Sequence, residues 1–297
     1  MATAALILVT AVWGVTFVQV KDAVELYPFL AFLAVRYAIA TIALAPPALL
    51  RIRTLGRDGL IAGGILGALI ALGIGLQTAG LERTTVTSTG FITGLYVLFT
   101  PLLALAIFRT AIPREVWVAV GLALVGLALL SGVPSGSTSG DLLVLASSVA
   151  QALQIVMVER YARRFDAFAL TFVQVATACV AFGALALARG DLSVPRGATV
   201  WAALLVTGLF AVAFALLVQV WAQRRVSATR IAIIFSLETV FAGLFGYLLA
   251  GDRIGGLGFA GCAAIFAGIV IAEPAAAATL RRLVGRPGPE PGPRPLG

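Results

Sequence analysis

A chain of 297 residues that is 61% hydrophobic and only 11% charged, with a mean hydropathy of +1.06, is no soluble globular domain, in which about a quarter of residues carry charge. Its net charge of +8 is spread over short segments rather than massed on one face, which argues against a nucleic-acid partner. Histidine is absent, which removes the commonest general base, proton shuttle and metal ligand, and Cys179 and Cys262 lie inside apolar stretches and imply no disulfide.

A hydrocarbon layer of about 30 Å is crossed by roughly 20 apolar residues in a helix, whose backbone groups are then satisfied internally. Ten such stretches follow one another, at about 4–20, 28–50, 60–80, 86–108, 115–132, 141–158, 167–188, 199–223, 231–250 and 255–273. The first, within "MATAALILVTAVWGVTF", has no basic segment ahead of it and is expected to be a membrane helix rather than a cleaved signal. The connections leave no room for an extramembrane domain. After Pro274 the last eleven residues hold five prolines, and 275–297 is expected to be a disordered cytoplasmic tail.

Basic residues collect in the cytoplasmic loops of membrane proteins. With both termini placed in the cytoplasm, fifteen of the 21 Lys and Arg residues fall inside, among them Arg51, Arg53, Arg57, Arg160, Arg163, Arg164, Arg224, Arg225 and Arg230. Five fall outside, namely Lys21, Arg83, Arg189, Arg196 and Arg253, and Arg36 alone is left within a helix. The excess charge thus reads as a topology signal.

The two halves also align with each other. A shift of 142 residues lays Gln77 on Gln219, Arg83 on Arg225 and Phe99 on Phe241; a shift of 138 lays "AVWGVTFVQVK" on "VAQALQIVMVE" and Arg36 on Gln174. Five helices per half is an odd number, so the second half must enter the membrane upside down. The expected fold is therefore an all-α polytopic membrane protein of ten transmembrane helices, built as two inverted five-helix repeats, 1–134 and 135–274. Inverted repeats of this kind occur in secondary transporters, with the substrate site near the midplane where the halves meet.

Polar residues within the apolar stretches mark the candidate site. Trp13 and Thr16 of the first helix are the aligned counterparts of Gln151 and Gln154 in the sixth. Arg36, two turns inside the outer end of the second helix, either binds a substrate carboxylate or snorkels and fastens helices. Gln77 and Gln219 stand at matching places in the third and eighth helices, where amides line a cavity or bond neighbouring helices. Tyr96, Trp13 and Trp221 can stack on an aromatic or quaternary-amine substrate, or simply pack; Trp221, near a helix end, also suits the interfacial aromatic belt. Glu238 sits near the middle of "IAIIFSLETVFAGLFGYLLA", where a charge is costly. It is either a proton-coupling or substrate-amine site, or a carboxylate paired with Arg36 or capping a neighbouring helix. Gly63, Gly67, Ala71 and Gly75 make a flat face for close helix approach, expected to serve static packing more than sliding. Pro101 is expected to kink the fourth helix.

The ordered set "AVWGVTFVQVK", "FLAFLAVRYAIA", "GFITGLYVLFTPLLALAIFR", "GDLLVLASSVAQALQIVMVERYARRFDAFALTFVQ" and "FSLETVFAGLFGYLLAGDRIGGLGFAGCAAIFAGIVIA" resembles the EamA-type ten-helix members of the drug/metabolite transporter superfamily, over about residues 4–274. Two departures stand out. The family's Glu-Pro in the ninth helix is Glu238-Thr239 here, so a proline kink is not expected, and a glutamate common after that helix is Asp252. The resemblance implies export of small metabolites across the bacterial inner (plasma) membrane by alternating access, with protons as a candidate coupling ion, lipids as surroundings and no cofactor. A single cavity arginine argues against nucleotide-sugar or sugar-phosphate dianions. Indole, phenol and amide groups together point to an aromatic or other hydrophobic amino acid, or a related amphipathic drug. An enzyme lacks its means, since there is one deep carboxylate and the sole lysine, Lys21, is expected in a loop. A channel or a non-transporting scaffold remains the alternative.

Overall fold

A computed structural model describes residues 2–84, 86–109, 111–131, 138–245 and 255–272. Asp252, Arg253, Pro274, the tail and the boundary at 134/135 lie outside the described residues. Among those described there are ten helical rods and no strand. They are α1 (Ala2–Leu26), α2 (Phe29–Leu49), α3 (Gly56–Leu81), α4 (Val86–Gly94 and Tyr96–Phe108), α5 (Arg114–Ser131), α6 (Thr138–Ala162), α7 (Ala167–Arg189), α8 (Ala198–Val206, a π-helical stretch Thr207–Phe214, and Ala215–Gln223), α9 (Ala228–Phe235 and Leu237–Phe245) and α10 (Gly256–Ala272). Six are long and apolar enough to cross a membrane by length and composition alone: Phe29–Leu49, Ile52–Leu81, Thr89–Phe108, Ser139–Ala162, Ala167–Arg189 and Ala198–Gln223. Large apolar side chains cover the outside, with Ile42 72% and Val180 71% exposed, a surface that lipid rather than water must cover.

Local chemistry sets the helix ends. Asp166 caps α7 by accepting from the Ala169 amide at 3.1 Å, and Gly190, at φ 72°, turns the chain out at its far end. Arg109 ends α4 in the same left-handed conformation at φ 50°. Lys21 falls within α1 rather than in a loop, because the helix runs on to Leu26.

Two helices are broken at matching places. The ladder of α4 tightens at Leu95, where the Leu95 amide donates to the Ile92 carbonyl and the Leu98 amide to the Leu95 carbonyl, nearly two turns ahead of Pro101. Proline cannot donate to the carbonyl of residue 97, so the kink is centred upstream of it. The ninth helix breaks at Ser236 without a proline after Glu238, a break of another origin than the proline kink that Thr239 rules out. There the Ser236 hydroxyl donates to the Ile233 carbonyl at 2.6 Å, while its amide is shared between the carbonyls of Ala232 and Ile233. Shifted by 142 residues, Ser236 falls on Gly94, next to Leu95.

Among the described residues, most of the larger helix contacts recur when five is added to both partners, although α6–α8 has no counterpart in α1–α3. Helix α3 packs on α6 and α8 on α1; α4 packs on α6 and α9 on α1; α3 packs on α7 and α8 on α2. The pairs α2–α7, α4–α9 and α5–α10 map onto themselves. This recurrence is the pattern that two repeats, α1–α5 and α6–α10, would give.

The glycines of α3 permit its closest approach. A Cβ at Gly63 would come within 2.5 Å of Val173, and one at Gly67 would overlap the Gln174 carbonyl and Thr177, both on α7. Gly75 is less tight, with Phe182 3.5 Å from its added Cβ, and Ala71 packs into the same α2–α3–α7 core. The stripe is thus the α3–α7 interface. Gly67→Ala is expected to destabilise the protein by about 1–3 kcal/mol through overpacking, whereas Gly64→Ala, with nothing within 4 Å, is expected to be neutral or slightly stabilising. Thermal unfolding in detergent checks this; equal melting temperatures for the two variants would contradict it.

Candidate functional site

The rods enclose a central cavity of about 130 Å³ to which α1, α2, α3, α4, α6, α8 and α9 contribute. Nine of the ten polar and aromatic candidates line it: Trp13, Thr16, Arg36, Gln77, Tyr96, Gln151, Gln154, Gln219 and Glu238. Trp221 does not. It lies two residues beyond Gln219, about 200° around an α-helix, and so faces away from the cavity, with the Arg225 guanidinium 5.6 Å from its ring centroid.

Each side chain is held by its helix. Trp13 donates its indole N–H to the Ala211 carbonyl at 2.8 Å, joining α1 to the π-helical stretch of α8, and meets Phe235 edge-on at 4.8 Å between centroids. π-Helical segments occur disproportionately at functional sites. Thr16 bonds back to the Trp13 carbonyl at 2.9 Å, and Gln151 donates to Ser147 at 2.8 Å. Gln77 donates to the Thr93 hydroxyl of α4 at 2.9 Å.

The two charged groups are separate. Arg36 and Glu238 form no ion pair with each other, and the buried Arg36 Nε has no hydrogen-bond partner. Glu238 stands in the first turn of the second segment of α9, two residues past the break at Ser236, and lines the cavity. Its repeat counterpart under the 142-residue shift is Tyr96, close enough on the facing helix to interact with it electrostatically. The cavity thus offers a guanidinium and a carboxyl group that do not pair, several amides, and the aromatic rings of Trp13, Tyr37, Tyr96 and Phe235.

Several members escaped sequence reasoning. Phe235 lies one helical turn before Glu238 and could have been found from that spacing. Tyr37 neighbours Arg36, and Gln223 follows Gln219 by four residues on one face of α8. Gln223 lies at the end of a buried chain of amides. Gln154 donates to Gln174 at 3.5 Å, Gln219 to both Gln154 (3.0 Å) and Gln223 (3.1 Å), and Gln223 to the Ile155 carbonyl at 2.7 Å. The chain ties α6, α7 and α8 together below the cavity. Beyond it, Glu159 of α6 accepts from the Ala228 amide at the start of α9 at 2.7 Å and from Arg163 at 3.1 Å.

Buried polar groups gathered from helices of both halves, inside an apolar shell of membrane-crossing helices, define a multi-pass membrane transporter. The EamA-like transporter family matches the sequence twice, over residues 1–132 and 138–272, and the chain belongs to that family. It is 31% identical over 269 residues to an uncharacterized transporter of Archaeoglobus fulgidus, covering 90% of this chain and 83% of that one. A protein crystal structure has the same fold, with a TM-score of 0.77 at 16% identity, over 94% of this chain and 98% of the other.

Trp13→Phe keeps the ring contact but leaves the Ala211 carbonyl without the indole donor. It is expected to cost about 1–3 kcal/mol of stability, read as a lower melting temperature in detergent; an unchanged value would contradict a structural bridge between α1 and α8.

Proposed function

We propose that the protein is a secondary carrier that exports small zwitterionic amino acids, aromatic or hydrophobic ones first, across the cell's inner (plasma) membrane by alternating access. The observation that supports this most is the placing of Arg36 and Glu238 in one cavity, without an ion pair between them, together with amides and aromatic rings in the same lining. Arg36 receives the substrate carboxylate, Glu238 its ammonium group, and the wall of Trp13, Tyr96 and Phe235 its side chain. A cavity of about 130 Å³ is small against the roughly 300–1,000 Å³ of sites for drug-sized ligands, which favours a small metabolite over a bulky drug or a nucleotide sugar.

Both termini are placed in the cytoplasm. The cation–π pairs of Arg51 with Phe168, Arg160 with Phe108 and Arg225 with Trp221 then all fall at the inner surface, as the excess of basic residues requires. The halves divide at 134/135. Glu238 either holds the substrate amine or exchanges it for a proton, which couples export to the proton gradient. The alternative of a channel is less favoured, because the hydrogen bonds that join Gln154, Gln219 and Gln223 across α6 and α8 weigh against a permanently open pore there.

In proteoliposomes, unlabelled aromatic amino acid on the far side is expected to accelerate uptake of the labelled one. Arg36→Gln should lower that counterflow about tenfold or more, the loss of a charge-assisted bond. Glu238→Gln should abolish its dependence on pH. Flux without trans-acceleration would favour a channel, and pH dependence unchanged in Glu238→Gln would remove that carboxylate from coupling.

A further inference from the structure

The amide chain and its repeat counterparts are not in the same state. Under the shifts that align the halves, Gln154, Gln174, Gln219 and Gln223 correspond to Thr16, Arg36, Gln77 and Leu81. In the second repeat the four glutamines are bonded together and α6 packs against α8. In the first repeat, Thr16, Arg36, Gln77 and Leu81 all line the cavity, and α1 and α3 make no comparable contact. Gln77 turns away to Thr93 on α4, and Thr16 to its own helix. The cavity lining reaches Leu81, the last residue of α3, while at the other end it stops at Gln154 and Gln219.

We propose that the glutamine chain is one gate of the carrier, closed here, and that Thr16, Arg36, Gln77 and Leu81 form the opposite gate, open here. Closing the second gate swings Gln77 from Thr93 toward Thr16 and brings α3 onto α1. Opening the first breaks the bonds of Gln219 to Gln154 and Gln223 and frees Ala228 from Glu159. Amides suit this task because each donates and accepts without charge, so a bond broken at one gate is replaced by water or by a bond at the other. Arg36 has two duties on this reading: it stands at the site and at the open gate, so a bound anion draws that gate inward.

This rests on the alternating-access reading above, but its test needs no substrate. With Cys179 and Cys262 replaced by alanine, Thr78→Cys reports on the open end, and its rate of labelling by a charged maleimide is measured on purified protein. Gln223→Leu, which unties the closed gate, is expected to slow labelling at least threefold; Gln77→Leu, which disables the opposite gate, should leave it unchanged or faster. A Gln154→Cys/Gln219→Cys pair joined by a short bis-methanethiosulfonate should hold labelling at or above the rate of the uncrosslinked protein, whether or not Gln223→Leu folds. Equal labelling in folded Gln223→Leu and Gln77→Leu, or slower labelling after crosslinking, would overturn the assignment. Labelling as expected without amino-acid counterflow would leave the gates standing and refute only the substrate.

Discussion

Lipid withholds water from charge, and the arrangement of this protein follows from that constraint. An arginine and a glutamate placed within apolar helices must face each other, a cavity or the surface. Here both enter the same cavity without pairing. Buried amides need partners, and for Gln77, Gln154, Gln219 and Gln223 a neighbouring helix supplies one. The outer faces of the same helices carry only the requirement of being apolar, which Ile42 and Val180 meet.

Duplication supplies the geometry. Tyr96 and Glu238, which correspond under the 142-residue shift, line one cavity, so aligned positions carry two different chemistries there. Tyr96 and Glu238 follow closely on breaks at Leu95 and Ser236, and the two breaks arise differently. In α4 a proline denies a hydrogen bond, whereas in α9 a serine hydroxyl competes for a carbonyl. Backbone geometry has been kept across the repeats while the side chains producing it have changed.

Much of this was legible in the sequence, for definable reasons. Apolar length gave the ten rods, and the gapless alignment of halves brought Gln77 and Gln219 to attention as a pair. For Trp221 the sequence leaves a cavity role and an interfacial one open, and the structure favours the second, since two residues along a helix turn it away from the face of Gln219. The break at Ser236 was hidden because it needs no proline. The bond from Trp13 to Ala211 joins residues 198 apart and leaves no periodic trace. Nor can a sequence show which end of a symmetric pair is closed, since both arrangements are available to the same residues.

The central claim is that the mid-membrane carboxylate of α9 faces an aqueous cavity. The most direct measurement is thiol reactivity along that helix, with single cysteines at positions 237 to 241 in a cysteine-free background and a charged methanethiosulfonate as reagent. Fast modification at 238, with slow modification at the buried position 237, is the expected result. Fast reaction at 237 with protection at 238 would mean that the helix is turned the other way and that no shared cavity exists.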